Sequence, residues 1–225
     1  AKERATGIRR TGEIRFRPDE EEKRLIGDTM SETRRVFLEA SRGKAFRILA
    51  GIIRKLPKAS QTLILVPERI ALPGAERFFS SVFGADQVAV LSSSVSPGTF
   101  YTAWEKTRSG KARVVIGTRQ ALFAPFRKLG LAALLEESEA LGYKQWDMSP
   151  RYDARKVIET LVSLHGARLV LSGETMSEAI SFRKSRKTVR HIITKRPSAP
   201  PRIDLINMRE ERFRKNFSLL SAGDR

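Results

Sequence analysis

From Arg35 onward, short apolar runs alternate with longer stretches whose apolar residues recur every three or four positions. The runs predict strands over 36–40, 62–67, 88–91, 112–116, 129–135, 167–171, 189–194 and 203–206. Between them, Phe46, Leu49, Ile53 and Leu56 share one helical face, as do Val157, Leu161 and Leu164, and each face is expected to pack on the sheet. Strand–helix alternation of this kind predicts an α/β domain, a doubly wound, mainly parallel sheet with helices on both faces, over 35–196. Residues 1–34 are polar, with Arg9, Arg10, Arg15 and Arg17 ahead of the acidic run 19–22, and read as a linker or the end of a preceding domain with one short strand at 13–16. Prolines at 197, 200 and 201 predict an extended connector, so that 197–225 comprises that connector, a last strand and a basic segment.

Composition narrows the classes. The 225 residues carry 43 Lys and Arg against 25 Asp and Glu, a net charge of +18, while 40% hydrophobic content suffices for a core. A basic excess of this size points to a polyanionic partner, nucleic acid first and an anionic membrane second. Residues 181–215 hold twelve Lys or Arg and three Asp or Glu, half of the net charge, without the apolar face that an interfacial helix inserts into lipid. No apolar run approaches the roughly 20 residues of a membrane span. The absence of cysteine excludes disulfides, thiolate metal sites and thiol nucleophiles; no signal peptide opens the chain, which reads as cytoplasmic, and its first residue, Ala, suggests a trimmed chain.

Candidate chemistry begins after the first predicted strand, where a helix follows the segment 38–45. A phosphate-binding loop in that place needs a first glycine for backbone approach, Gly-Lys to reach the β- and γ-phosphates, and Ser or Thr to hold magnesium. Only Gly43 and Lys44 are present; Leu38 stands at the first glycine and Ala45 at the hydroxyl. The alternative reading is a surface lysine in a helix-start turn. His165 and His191 have no neighbour at metal-ligand spacing, and no metal site is expected.

Five blocks, Leu65-Val66-Pro67-Glu68, residues 115–126 around Gly117-Thr118-Arg119, Tyr143-Lys144-Gln145, residues 150–155 and Pro200-Pro201-Arg202-Ile203-Asp204, resemble in order and spacing the first helicase lobe of the PriA replication-restart family. The resemblance runs from about Arg35 to the end of the chain and implies a RecA-like fold of the P-loop NTPase type. It also implies an acidic box holding magnesium after the fifth strand, where this chain has Leu135-Glu136-Glu137-Ser138-Glu139; Glu136 and Glu137 are its degenerate remainder, with Leu135 or Glu136 in the place of the leading Asp. The coupling motif is likewise changed, to Ser172-Gly173-Glu174-Thr175-Met176. The arginines and zinc-binding cysteines of the family's second lobe are expected to lie beyond Arg225.

Phosphoryl transfer depends almost wholly on positioned charge. The expectation is therefore a DNA-binding lobe of a replication-restart protein without ATPase activity of its own, with ATP and magnesium as ligands only if the degenerate site still binds them. Its DNA contacts are expected from Thr118, Arg119, Tyr143, Lys144, Trp146, Arg151, Tyr152 and Arg155, rings stacking on bases and cations following phosphates. Trp146 and Tyr152 as caps of the core are the competing reading. The resemblance implies branched forks and single strands as ligands, single-strand binding protein and helicase-loading proteins as partners, and a nucleoid location. Two other readings stay open: an active 3′–5′ helicase lobe of a longer chain, and a basic protein-interaction scaffold.

Overall fold

A computed structural model describes residues 16–31, 34–147, 149–194, 207 and 209. The chain divides into two units, Ala1–Thr194 and Lys195–Arg225. The described part of the first runs α1 (Glu20–Thr29), β1 (Arg35–Glu39), α2 (Arg42–Lys55), β2 (Gln61–Leu65), α3 (Leu72–Phe83), β3 (Val88–Leu91), α4 (Pro97–Arg108), β4 (Val114–Gly117), a 3-10 turn (Arg119–Phe123), β5 (Leu129–Leu134), α5 (Ala140–Tyr143), β6 (Lys144–Gln145), β7 (Tyr152–Asp153), α6 (Ala154–His165), β8 (Arg168–Gly173), α7 (Glu178–Ser185) and β9 (Arg190–Ile193). Seven strands form one sheet in the order β3-β4-β2-β5-β8-β1-β9, every pair parallel, while β6 and β7 make a small antiparallel ribbon. Seven of the eight predicted strands are found in this sheet; the eighth, 203–206, lies outside the described residues, as does 197–201.

The period of two along each strand divides the core between the faces. Val36, Leu38, Ile64, Val114, Ile116, Leu131 and Ala133 point to one side, where Leu25, Ile26, Ile48, Leu49, Ile52 and Phe79 of α1, α2 and α3 cover them. Phe37, Leu63, Leu65, Val115, Ala132, Leu134 and Leu171 point to the other, beneath Ala103 of α4, Ile158 and Val162 of α6 and Ile180 of α7. Strands buried on both faces read as continuous apolar runs, which is why they were legible. The face of α6 sits one residue from its expected place: Ala154, Ile158 and Val162 are buried, Val157 and Leu161 are packed at the margin, and Leu164 is 80% exposed.

Residues 20–29, expected within a linker or the end of a preceding domain, form a helix on the core. Asp19 caps it through its side chain to the Glu22 N–H at 2.7 Å, and the Glu22 carboxylate returns to the Asp19 N–H at 3.0 Å, a reciprocal capping box. Its buried Leu25 and Ile26 press on α2; a Cβ on Gly51 would stand 2.0 Å from Ile26 Cδ1, so glycine there lets the helices approach.

Candidate nucleic-acid interface

All seven strands end at one edge, and the loops there form the crevices in which open α/β sheets bind ligands. The first crevice lies beyond β1, β5 and β8, a pocket of about 270 Å³ lined by residues including Arg42, Leu135, Glu136, Glu139 and Glu174. Here the sequence placed a degenerate nucleotide site. Only Ala40 and Ser41 separate β1 from α2, and Leu38, at the position of the first glycine, is buried inside the strand. Gly43 and Lys44 belong to the first turn of α2, and a Cβ at Gly43 would meet nothing within 4 Å. The Lys44 ammonium pairs with Asp19, Glu21 and Glu22 at 3.2, 3.1 and 3.4 Å. Burial works against its charge, but hydrogen bonds to Glu21 and Asp19 and the Glu22 charge outweigh that and raise its pKa.

The acidic box is equally altered. Leu135 is buried and takes the pocket-facing place directly after β5, its N–H bonded to Leu65 O. Glu136, at φ 52°, turns back to Arg42, with 2.7 Å to Nε and 2.5 Å to Nη2. That left-handed backbone costs a non-glycine residue roughly 1–2 kcal/mol. Glu137 is buried on the opposite side, its carboxylate 3.7 Å from Arg155 Nη1, with Oε2 unpaired. ATP with magnesium does not fit this arrangement: the connection is too short to wrap phosphates, the lysine is engaged by α1, and the lining carboxylates would repel the triphosphate.

The second crevice, about 610 Å³, opens beyond β2 and β4 between Pro67–Ile70, Ser93, Thr118, Arg119, Leu141 and Gly142. Gly117 makes it possible, because a Cβ there would lie 2.3 Å from Leu91 O and 2.5 Å from Ala121 Cβ; only glycine lets β4 turn at once into the 3-10 segment that carries Arg119. The Arg119 guanidinium donates from Nη1 to Lys144 O and ties this turn to the β6 loop. Thr118 and Arg119 thus face the crevice together, and Lys144 of β6 and Trp146 and Arg151 of the adjoining β6–β7 loop are exposed, Trp146 at 66%. Tyr152 is half-buried and meets Phe123 edge to face at 5.6 Å.

Two of the expected DNA contacts have partners within the protein. Tyr143 is wholly buried, donating from Oη to Leu135 O at 2.5 Å and lying 3.3 Å from Leu65 O, and burial pushes its pKa well above the ordinary phenol value. It joins two strand ends. Arg155 is committed to Asp153 through Nε at 3.0 Å and Nη2 at 2.8 Å, and to Glu137; the Asp153 bond raises its pKa. Desolvation acts to raise Asp153, and Arg155 overcomes it, holding the carboxyl below its ordinary value.

An apolar groove of about 600 Å³ adjoins this crevice through Ser93, with Phe100, Tyr101 and Trp104 of α4 on one wall and Gln120, next to Arg119, on the other. The Phe100 and Trp104 rings are stacked 5.9 Å apart, and Tyr101 is exposed. Sequence reasoning missed it, since aromatics at this spacing read as a core face; it also missed Arg69 and Ile70, although the run after β2 carried part of the resemblance.

The chain matches no protein-family model. Among curated proteins, replication restart protein PriA of Bacillus subtilis is 34% identical over 199 residues, 85% of this chain and 24% of that protein. PriA of Synechocystis sp. is 34% identical over 178 residues, 75% of the chain and 21% of the protein, and PriA of Treponema pallidum 30% over 211, 91% and 32%. The chain thus spans about a quarter of the length of the curated relatives it matches. Among solved structures, a DEAD box protein of Methanococcus jannaschii superposes with TM-score 0.55 at 17% identity, covering 79% of this chain and 50% of that one. The UvsW helicase of bacteriophage T4 superposes with TM-score 0.53 at 18% identity, covering 83% and 62%. These likenesses show the fold, a RecA-like α/β domain.

Proposed function

The chain is homologous to a partial region of the replication restart protein PriA, and from that premise we propose that it acts as a nucleic-acid-holding lobe in replication restart without hydrolysing nucleotide itself. The observation that carries this reading is the contrast between two crevices on one sheet edge. Where the family resemblance implies ATP, Lys44 is engaged by three carboxylates and Glu136 by Arg42. Where it implies DNA, Thr118 and Arg119 line the crevice beside exposed Lys144, Trp146 and Arg151, and Arg119, bonded to the Lys144 carbonyl, forms no described ion pair. Arg69 and Arg119 take phosphates; Trp146 and the α4 rings take unstacked bases, each worth about 1–3 kcal/mol. Recognition by charge and stacking is indifferent to base sequence and suits single strands and fork junctions. Single-strand binding protein and helicase-loading proteins as partners, and a nucleoid location, belong to the same reading.

The test is binding of forked, single-stranded and duplex DNA with and without ATP and magnesium. Single-strand affinity falls about tenfold or more in Arg119→Ala and does not respond to nucleotide. DNA-stimulated ATP turnover that Lys44→Ala abolishes would overturn the proposal and restore the active-helicase reading.

A further inference from the structure

At the opposite edge, where the strands begin, a different surface gathers. Arg34 and Arg35 open β1, Arg168 opens β8, Arg190 opens β9, and the end of α7 brings Arg183, Lys184, Arg186 and Lys187 to the turn that enters β9. A shallow pocket of about 400 Å³ joins the first group to the last, lined by Arg34, Arg35, Ser163, Gly166 and Thr188. Part of this charge is structural: Arg168 donates to Met30 O and Ser31 O at the end of α1, and Arg34 to Gly166 O at the end of α6, where cations answer the carbonyl ends of helices. Arg183 pairs with Glu159, and Arg190 lies 3.5 Å from Asp28. Arg35, Lys184, Arg186 and Lys187 form no described ion pair and are exposed. Burial, and then the neighbouring Arg34 charge, lower the pKa of Arg168, as expected in a positive field.

We infer that this edge is a second nucleic-acid surface, one that holds the phosphates of a duplex arm while the opposite edge holds single strand. Charge complementarity selects a polyanion. The absence of a stacking platform among the described residues selects a duplex, since Phe182, the exposed ring at this edge, lies under the Arg186 guanidinium at 5.3 Å. Leu164 and Phe182 alone offer no apolar face wide enough for a lipid surface. Strands of four to six residues separate the two edges by roughly 13–20 Å, and the strands between β2 and β1 shift the surfaces roughly 15 Å sideways, so one chain can hold two segments of a branched molecule. The inference rests on the DNA-holding reading above and deepens it.

The experiment titrates the chain with a short single strand, a blunt duplex and a fork joining the two, across salt concentrations. It compares Arg35→Gln/Lys184→Gln/Lys187→Gln with Arg119→Gln, and in the unaltered chain follows protection of Lys184 and Lys187 from acetylation. The triple variant should bind single strand as the parent does, lose about tenfold or more for duplex and fork, and flatten the salt slope on duplex by about two to three, nearly one per lost phosphate contact. Duplex should shield both lysines and single strand neither, a readout independent of any variant's folding. An unchanged duplex slope with unshielded lysines, alongside Arg119-dependent single-strand binding, overturns this inference alone; binding of no DNA by the parent chain removes the DNA-holding reading too. Phosphatidylserine vesicles form the final arm: capture dependent on the three residues, with duplex ignored, overturns the inference in favour of a membrane.

Discussion

Glu22 is 1% exposed and accepts Arg47 through Nε at 2.5 Å and Nη2 at 2.8 Å. Desolvation acts to raise its pKa, yet the Arg47 bonds, the Asp19 N–H and the Arg47 and Lys44 charges leave it below the ordinary 4.5. A depressed carboxylate lends stability that is complete above its unfolded value and is lost as the pH falls through its folded one, so the chain should weaken as acid takes it below about pH 4.5. Glu22→Gln should flatten that acid limb in pH-dependent thermal melts, at a cost at neutral pH. Arg47→Met leaves the buried carboxylate only Lys44 and the Asp19 N–H and should cost about 1–3 kcal/mol by urea unfolding, less than breaking a fully buried pair because Arg47 is partly exposed and Lys44 remains. Tyr143→Phe loses only the Oη hydrogen bonds, an expected cost of about 1–2 kcal/mol with single-strand affinity unchanged; a large loss of binding instead would return Tyr143 to the DNA interface.

At the scale of elements, the informative one is α1. Its charged sequence hides two core residues, and the signal that could have found it was the Asp19-to-Glu22 capping spacing ahead of Leu25 and Ile26. The helix contributes to the core and also engages Lys44, so α1 and the start of α2 are one structure. Gly51→Ala should wedge the α1–α2 contact and cost about 1–3 kcal/mol, and Ile26→Ala in the same chain should recover part of that loss, measured as a double-mutant cycle. The β4-to-turn junction is less forgiving. A methyl group on Gly117 meets the backbone carbonyl of Leu91, so Gly117→Ala should lower the melting temperature sharply and displace Arg119 from its crevice.

For the whole molecule, an excess of +18 makes every DNA affinity salt-dependent, and binding should weaken steeply between 50 and 200 mM salt whatever the base sequence. Seven strand positions and the parallel sheet were determined by sequence alone, because apolar period and run length are local properties. Which charges remain free was decided only by tertiary structure. Lys44 finds its carboxylates about 25 residues earlier, Tyr143 reaches a carbonyl 78 residues away, and Arg119 and Lys144 meet across 25. Composition marked residues 181–215 as basic, but the sheet brings Arg34 and Arg35 beside the first of those cations, since β1 lies next to β9 in space and far from it along the chain. A side chain's chemistry is written in its identity; its availability depends on what the fold sets against it.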